Sequence, residues 1–129
     1  MKVTDFKILL DSSAWLAYFL AVNKEIKGFI ESEKTQLFTS VISLYEVKKK
    51  LIKEKYSRSK VNSVINFMKD SSIIIILNEN IAEKAVEESI KHRLHTIDAL
   101  IYSTAIENGA VLITGDLDFK DLKDVKILK

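Results

Sequence analysis

Short apolar runs alternate with longer amphipathic stretches along this chain of 129 residues. Five runs have the length of a strand: Ile8–Leu10, Gln36–Phe38, Ile73–Leu77, Ala110–Ile113 and Val125–Leu128. They do not alternate with polar residues, as expected for parallel strands that are covered on both faces. Strands that alternate with helices favour an α/β fold. The sequence therefore predicts one three-layer domain, residues 1–129, with a mostly parallel central sheet of about five strands flanked by helices.

Polar residues mark the predicted helix starts between these runs. The candidate N-caps are Ser12 or Ser13, Ser40, Ser57 or Ser59, and Thr96. Gly109 is expected to end the last helix, as glycine commonly does. The helix after Ser40 is expected to bury Val41, Leu44, Tyr45, Val47, Leu51 and Ile52. A later helix is expected to bury Ile81, Ala82, Ala85, Val86 and Ile90, opposite a charged face of Glu83, Lys84, Glu87, Glu88 and Lys91.

Composition excludes several classes of protein. The chain has no cysteine, so it has neither a disulfide framework, a thiolate metal site nor a cysteine nucleophile. Its longest apolar run, Ile73–Leu77, is far too short to span a bilayer. Residues 1–5 lack the apolar core of a signal peptide. We therefore expect a cytoplasmic protein without a membrane partner.

Positive charge is concentrated in one segment, although the formal net charge is only +2. Its cations are Lys48, Lys49, Lys50, Lys53, Lys55, Arg58 and Lys60, opposed only by Glu54. Such a segment is either a solvated helix face or a surface that contacts the phosphates of a nucleic acid.

Four acidic residues occupy positions from which their side chains can converge. Asp11 and Asp116 follow predicted strands, Asp98 lies in the first turn of a helix, and Glu46 lies early in another helix. Ligand sites of open α/β sheets lie beyond the carboxyl ends of the strands. Carboxylates that meet there repel one another unless a cation such as Mg²⁺ or Mn²⁺ neutralises them.

Each acid also has an ordinary structural explanation. Asp11 can cap a helix, and Asp98 can interact favourably with a helix dipole. Asp116 and Asp118 can belong to a turn, and Glu46 can be an exposed surface residue. The interpretation as a metal site therefore depends on the joint placement of the acids.

The segments around these acids resemble the four sequence blocks of the PIN-domain family, in the same order. The matching segments are Asp11-Ser12-Ser13-Ala14-Trp15, Ser40-Val41-Ile42-Ser43-Leu44-Tyr45-Glu46-Val47, Asp98 to Ala110, and Val111-Leu112-Ile113-Thr114-Gly115-Asp116-Leu117-Asp118-Phe119. The match covers nearly the whole chain, and the last two blocks are the most specific. Residues 1–7 extend the chain ahead of the first predicted strand. The size and the lack of further modules look most like the VapC-type toxins of toxin–antitoxin pairs.

The resemblance implies a role for each matching residue. The catalytic and metal-binding acids would be Asp11, Glu46, Asp98 and Asp116, with Asp118 as a further metal ligand. Ser13 and Thr114 would be supporting hydroxyls. The implied activity is endonucleolytic cleavage of RNA with Mg²⁺ or Mn²⁺, and Lys48, Lys49, Lys50 and Lys53 are candidate RNA contacts.

The resemblance also implies partners, namely a VapB-like antitoxin and a second copy of the chain in a homodimer. Trp15, Tyr18 and Phe19 are expected in the core, and the alternative is that they form an interface with one of these partners. His92 and His95 either line an RNA path or are surface and capping residues.

Three other functions are compatible with parts of the pattern. The first is a PIN-domain nuclease of RNA processing or ribosome maturation that is not a toxin. The second is a Mg²⁺-binding, phosphoryl-accepting regulatory domain, which requires an aspartate after the middle strand, whereas Ile73–Leu77 precedes Asn78-Glu79-Asn80. The third is a haloacid-dehalogenase-type phosphatase, whose Asp-x-Asp pair would follow the first strand, whereas Asp116-Leu117-Asp118 follows the fourth.

Overall fold

The computed structural model describes residues 6–129, and this part of the chain contains five strands and six α-helices. The strands are β1 (Phe6–Leu10), β2 (Thr35–Ser40), β3 (Ile73–Ile75), β4 (Val111–Thr114) and β5 (Val125–Ile127). The helices are α1 (Ser12–Phe19), α2 (Lys24–Glu31), α3 (Val41–Lys53), α4 (Arg58–Ser71), α5 (Glu79–His92) and α6 (Thr96–Glu107), with a 3-10 turn at Leu117–Phe119.

All five strands are parallel and form one sheet in the order β3-β2-β1-β4-β5. The predicted parallel α/β fold is thereby confirmed. The run Ile73–Leu77 was expected to be the middle strand, and that expectation is wrong, because β3 forms an edge of the sheet. The middle strand is β1, and the residue that follows it is Asp11.

Alternating side chains of β1 enter two separate cores. Ile8 and Leu10 pack with residues of α1 to α4, whereas Leu9 packs on the opposite face with α5 and α6. Leu9 and Leu10 are completely buried, and each such side chain contributes about 1.5–3 kcal/mol relative to an exposed one. The sheet is therefore covered on both faces, which confirms the three-layer architecture.

Side-chain caps begin most of the helices. Ser40 and Ser57 cap α3 and α4 as predicted, each by accepting a hydrogen bond from a backbone N–H of the first turn. The prediction that Ser12 or Ser13 caps α1 is wrong, because both residues lie inside the helix. The N-cap is Asp11, whose carboxylate accepts the Ala14 N–H at 2.9 Å.

Helix α6 starts one residue earlier than predicted. Thr96 is its first helical residue, and His95 takes the N-cap position without a side-chain hydrogen bond. Gly109 follows the helix with a φ of 63°, a backbone conformation that glycine adopts without strain. Half of the residues of this helix are buried, so it is part of the core.

The apolar stripe of α5 is only partly buried. Ile81 and Ala85 are buried as predicted, but Val86 and Ile90 are 59% and 76% exposed. Glu88, expected on the charged face, is buried, and it lies 3.4 Å from the His92 imidazole. The helix packs mainly on α6, so the buried face is narrower than the apolar stripe and is rotated from it.

The apolar stripe of α3 was also predicted too wide. Val47 and Leu51 are buried, whereas Val41, Tyr45 and Ile52 are 37%, 64% and 55% exposed. The expectation that Tyr45 and Ile52 belong to the core is therefore wrong. These side chains lie outside the face that α3 presents to the sheet, α1 and α4.

Trp15 anchors the core beneath α1. It is fully buried, its indole N–H donates to the Thr39 hydroxyl at 3.0 Å, and its ring stacks on Phe19. Its predicted place in the core is confirmed. Tyr18 and Phe19 are half-buried and pack against Phe67 of α4, so these aromatic residues link α1 to α4.

No helix within residues 6–129 is long and apolar enough to cross a membrane. The first strand begins at Phe6, two residues earlier than predicted. The prediction that no signal peptide is present concerns residues 1–5, which lie outside the described part of the chain.

Candidate metal centre

The acidic residues lie at the edge of the sheet where the parallel strands end. Asp11 directly follows β1, and Asp116 follows β4, the neighbouring strand. Glu46 lies in α3, which continues directly from the end of β2, and Asp98 lies in the first turn of α6. This edge is the usual ligand-binding side of a parallel α/β sheet.

Three carboxylates form a tight group at this edge. Asp98, Asp116 and Asp118 each offer one oxygen, and these three oxygens lie within 4.8 Å of one another. Asp118 is exposed, and the other two residues are partly buried. Oxygen-only donors with this much negative charge suit a hard divalent cation such as Mg²⁺ or Mn²⁺.

Asp98 shows the electrostatic consequence of this grouping. Its pKa is raised from 3.8 to about 6, first because burial disfavours the charged form, and next because of the negative charges of Asp116 and Asp118. His95 lowers the pKa slightly, and Glu46 raises it. In the metal-free protein this carboxyl therefore holds a proton far more readily than an ordinary aspartate.

Asp11 is the most buried acid of the site and the best supplied with hydrogen bonds. One carboxylate oxygen accepts the Ser13 hydroxyl at 2.6 Å and the Ala14 N–H at 2.9 Å, and the other accepts the Thr114 hydroxyl. Burial raises the pKa of Asp11, these hydrogen bonds lower it, and Asp116 raises it further. The capping role and a role in the site are thus compatible in one residue.

The Ser13 and Thr114 hydroxyls also accept hydrogen bonds from the loop after β4. The Gly115 N–H donates to the Ser13 oxygen at 2.8 Å, and the Asp116 N–H donates to the Thr114 oxygen at 2.9 Å. Each hydroxyl thus accepts a hydrogen bond from a backbone N–H and donates a hydrogen bond to the Asp11 carboxylate. The two hydroxyls therefore fix the Asp11 carboxylate relative to the backbone that carries Asp116.

Glu46 is half-buried rather than fully exposed. Burial is the main cause of its raised pKa, a hydrogen bond from the Ser12 side chain opposes the increase, and the charge of Asp11 adds to it. Glu46 and Asp11 lie outside the three-carboxylate group, but the charge of Asp11 raises the pKa of Glu46, and the charge of Glu46 raises the pKa of Asp98.

Sequence reasoning missed Ser12 as a partner of Glu46. The hydroxyl pair at positions 12 and 13 was a usable signal, because consecutive residues at the start of a helix face different directions. The two histidines occupy different environments. His95 lies close enough to Asp98 to lower its pKa, whereas His92 pairs with Glu88 of α5.

The lysines of α3 are exposed, as a phosphate-binding surface requires. Lys50 forms an ion pair with exposed Glu54 at 3.0 Å. The ammonium group of Lys49 lies 5.6 Å from the centroid of the Tyr45 ring, within cation–π range. Lys48 and Lys53 have no carboxylate partner within residues 6–129.

The parallel sheet with a cluster of carboxylates at its strand ends defines a class of acidic α/β domains. Comparison with family models identifies the family. The PIN-domain model matches residues 8–125, so the chain belongs to the PIN-domain family. PIN domains form a nuclease family, and divalent metals serve their activity. No curated protein matches the chain significantly.

Among solved structures, the chain is similar to proteins from toxin–antitoxin complexes and to a related toxin. A toxin–antitoxin complex from Klebsiella pneumoniae matches at 25% identity with a TM-score of 0.74, covering 92% of this chain and 95% of that one. VapBC2 from Rickettsia felis, bound to a DNA fragment from its promoter, matches at 19% identity with a TM-score of 0.79, covering 96% of this chain and 100% of that one. VapC20 from Mycobacterium tuberculosis, a toxin that cleaves the sarcin–ricin loop, matches at 19% identity with a TM-score of 0.74, covering 95% of this chain and 99% of that one.

Proposed function

We propose that this protein is a metal-dependent endoribonuclease and the toxin of a VapBC-like toxin–antitoxin pair, acting in the cytoplasm. The observation that carries the proposal is the convergence of Asp98, Asp116 and Asp118 within 4.8 Å at the strand-end edge of a PIN domain. The structural similarity to toxin–antitoxin proteins supports the choice of a toxin among PIN nucleases.

The proposed metal is Mg²⁺ or Mn²⁺, held by Asp98, Asp116 and Asp118 together with Asp11 and Glu46. When bound, such an ion supplies an activated water and stabilises negative charge on the phosphate and the leaving 3′ oxygen. Asp98 would give up its proton when the ion binds, because metal ligands must be deprotonated. Asp11 would keep a fixed orientation through the Ser13 and Thr114 hydroxyls.

The proposed partners are a VapB-like antitoxin and a second copy of the chain. A basic antitoxin side chain would find strong acceptors in the acidic group. A homodimer is supported by the groove between α5 and α6, a cavity of about 220 Å³ beside exposed Val86 and Ile90. Large exposed apolar side chains in one area favour an interaction surface.

A cleavage assay tests the enzymatic part of the proposal. The wild-type protein should cleave RNA in Mg²⁺ or Mn²⁺ but not in EDTA, and Asp116→Asn should lose this cleavage while keeping its thermal stability. Asp70→Asn is a matched control, because Asp70 is an exposed aspartate on α4, away from the acidic residues. Equal metal-dependent cleavage by wild type and Asp116→Asn would refute the assignment of the site.

A growth assay separates the toxin from an RNA-processing nuclease of the same family. Expression alone should arrest growth, and co-expression of a small protein encoded by the neighbouring gene should restore it. Unimpaired growth together with metal-dependent RNA cleavage in vitro would favour the RNA-processing alternative. The regulatory-domain alternative has little support, because the chain belongs to the PIN-domain family, which is a nuclease family.

A further inference from the structure

One exposed face of α3 combines aromatic rings with positive charge. Tyr45, Lys48, Lys49 and Ile52 lie at helical spacing on this face, and Tyr56 follows just beyond the end of the helix. Tyr45 is 64% exposed and Ile52 55% exposed, so the face is not part of the core. It begins beside Glu46 and extends about 10 Å along the helix, at 1.5 Å per residue.

This face leads into a pocket between α3 and α4. The pocket has a volume of about 510 Å³ and is lined by Lys48, Ile52, Tyr56, Arg58, Val61 and Asn62. The volume is in the range of sites that hold small organic groups. The lining offers two cations, one aromatic ring, one amide and two aliphatic side chains, which is a suitable set for a nucleotide.

The end of α3 holds Tyr56 in place beside the pocket. Lys55 adopts a left-handed conformation with a φ of 64°, and the Tyr56 N–H then donates to the Leu51 carbonyl at 3.1 Å. Tyr56 is 37% exposed, so part of the residue packs against the protein and part is accessible to a ligand. A residue whose backbone is held in this way loses less entropy on binding than one in a flexible loop.

The charge around the pocket selects for an anionic ligand. Lys48 and Arg58 have no carboxylate partner within residues 6–129, and the only acid of the segment 48–60, Glu54, is paired with Lys50. Proteins that bind single-stranded nucleic acids combine cationic side chains with aromatic rings in this way.

We propose that the pocket between α3 and α4 binds an unpaired nucleotide of the substrate RNA. Its base stacks on Tyr56, Asn62 hydrogen-bonds to the base edge, and Lys48 and Arg58 contact the adjoining phosphates. This proposal rests on the proposed ribonuclease function and names the form of RNA that the enzyme takes. An unpaired nucleotide is required, because a base in an A-form duplex cannot reach an aromatic side chain.

An RNA-binding assay tests this assignment. The probe is a fluorescent, single-stranded RNA of about 10 nucleotides with random sequence, a length within the usual site sizes of such proteins. Its anisotropy is measured in Mg²⁺ with variants made on an Asp116→Asn background, which keeps the RNA intact. Tyr56→Ala and Arg58→Ala should each weaken binding about tenfold, and Tyr56→Phe should stay within about twofold of the parent.

Salt dependence separates the two contacts. Arg58→Ala should lower the slope of log affinity against log salt by about 0.7, as expected for one lost phosphate contact on a single strand, and Tyr56→Ala should leave the slope unchanged. Lys69→Ala is the matched control, because it removes an exposed cation at the other end of α4. Thermal melting of each variant verifies that it is folded.

Several outcomes would overturn the proposal. RNA cleavage by the wild-type protein together with parental RNA affinity of Tyr56→Ala would refute the pocket and leave the ribonuclease function intact. If Tyr56→Ala binds RNA with parental affinity but no longer binds the product of the neighbouring gene, the pocket is assigned to a protein partner instead. If the wild-type protein neither binds nor cleaves RNA, the pocket and the ribonuclease function both fail.

Discussion

Asp98→Asn is expected to stabilise the metal-free protein while it removes activity. The pKa of Asp98 rises from 3.8 to about 6 on folding, so the folded state binds this proton more tightly than the unfolded state does. At 1.36 kcal/mol per pKa unit the increase corresponds to about 3 kcal/mol at neutral pH. Because Asp98 is only partly buried, solvent screening reduces the expected gain to about 1–2 kcal/mol.

The pH dependence gives this prediction a direction. Below pH 3.8 the carboxyl is protonated in both states, so wild type and Asp98→Asn should be equally stable. The ionised wild-type carboxyl becomes costly between pH 3.8 and about 6, and the difference should reach its full value above that range. Asparagine resembles the protonated acid and avoids this cost.

Thermal unfolding in EDTA at pH 7 and pH 3.5 measures the effect. At pH 7 the variant should melt about 3–10 °C above wild type, and this difference should shrink toward zero at the lower pH. Mg²⁺ should then raise the melting temperature of wild type more than that of Asp98→Asn. A variant that is no more stable than wild type at pH 7 in EDTA would refute the reasoning that burial and charge repulsion make the ionised Asp98 carboxylate costly.

Two hydrogen bonds and one ion pair give three further predictions. Thr114→Val removes a donor to the buried Asp11 carboxylate and should reduce Mn²⁺ affinity about 10–100-fold by calorimetry, whereas unaltered affinity would show that the hydroxyl does not support the site. Trp15→Phe removes the indole donor to Thr39 and some core volume, and should cost about 2 kcal/mol in urea unfolding; a loss below about 0.5 kcal/mol would contradict this. Lys50→Ala breaks only an exposed ion pair and should change unfolding free energy by less than about 0.5 kcal/mol, so a larger loss in the same assay would show that the pair is not simply solvated.

The sequence predicted the sheet well because two of its inner strands, β1 and β4, carry buried apolar residues on both faces. Ile8 to Leu10 contain no alternation, and in the structure their side chains enter both cores. Strand order was beyond sequence reasoning, since an apolar run does not reveal its neighbours. The position of β3 at the edge, rather than in the middle, is the clearest example.

Helix faces were predicted less well, for a physical reason. The spacing of Tyr45, Ile52, Val86 and Ile90 indicates an apolar stripe, but it does not indicate whether the same chain covers that stripe. In the structure these four side chains are exposed. The polar residue Glu88 is buried instead, beside the His92 imidazole and the Lys84 ammonium group.

The sequence predicted which positions form the candidate site, but it did not predict the distances between their side chains. Asp98, Asp116 and Asp118 meet as the placement of strand ends and helix starts suggested. The effect of Ser12 on the pKa of Glu46 and the raised pKa of Asp98 depend on distances between elements. Their roles in binding a metal remain predictions for the assays described above.

The hydrogen bond between Asp11 and Thr114 joins residues 103 positions apart in the chain. During synthesis the segment that carries Asp11 leaves the ribosome before the segment that carries Asp116 and Asp118. The carboxylates therefore cannot assemble until residue 118 has emerged, and a truncated product that ends before β4 carries no complete centre. The order of synthesis thus keeps the proposed nuclease inactive until this segment has been made.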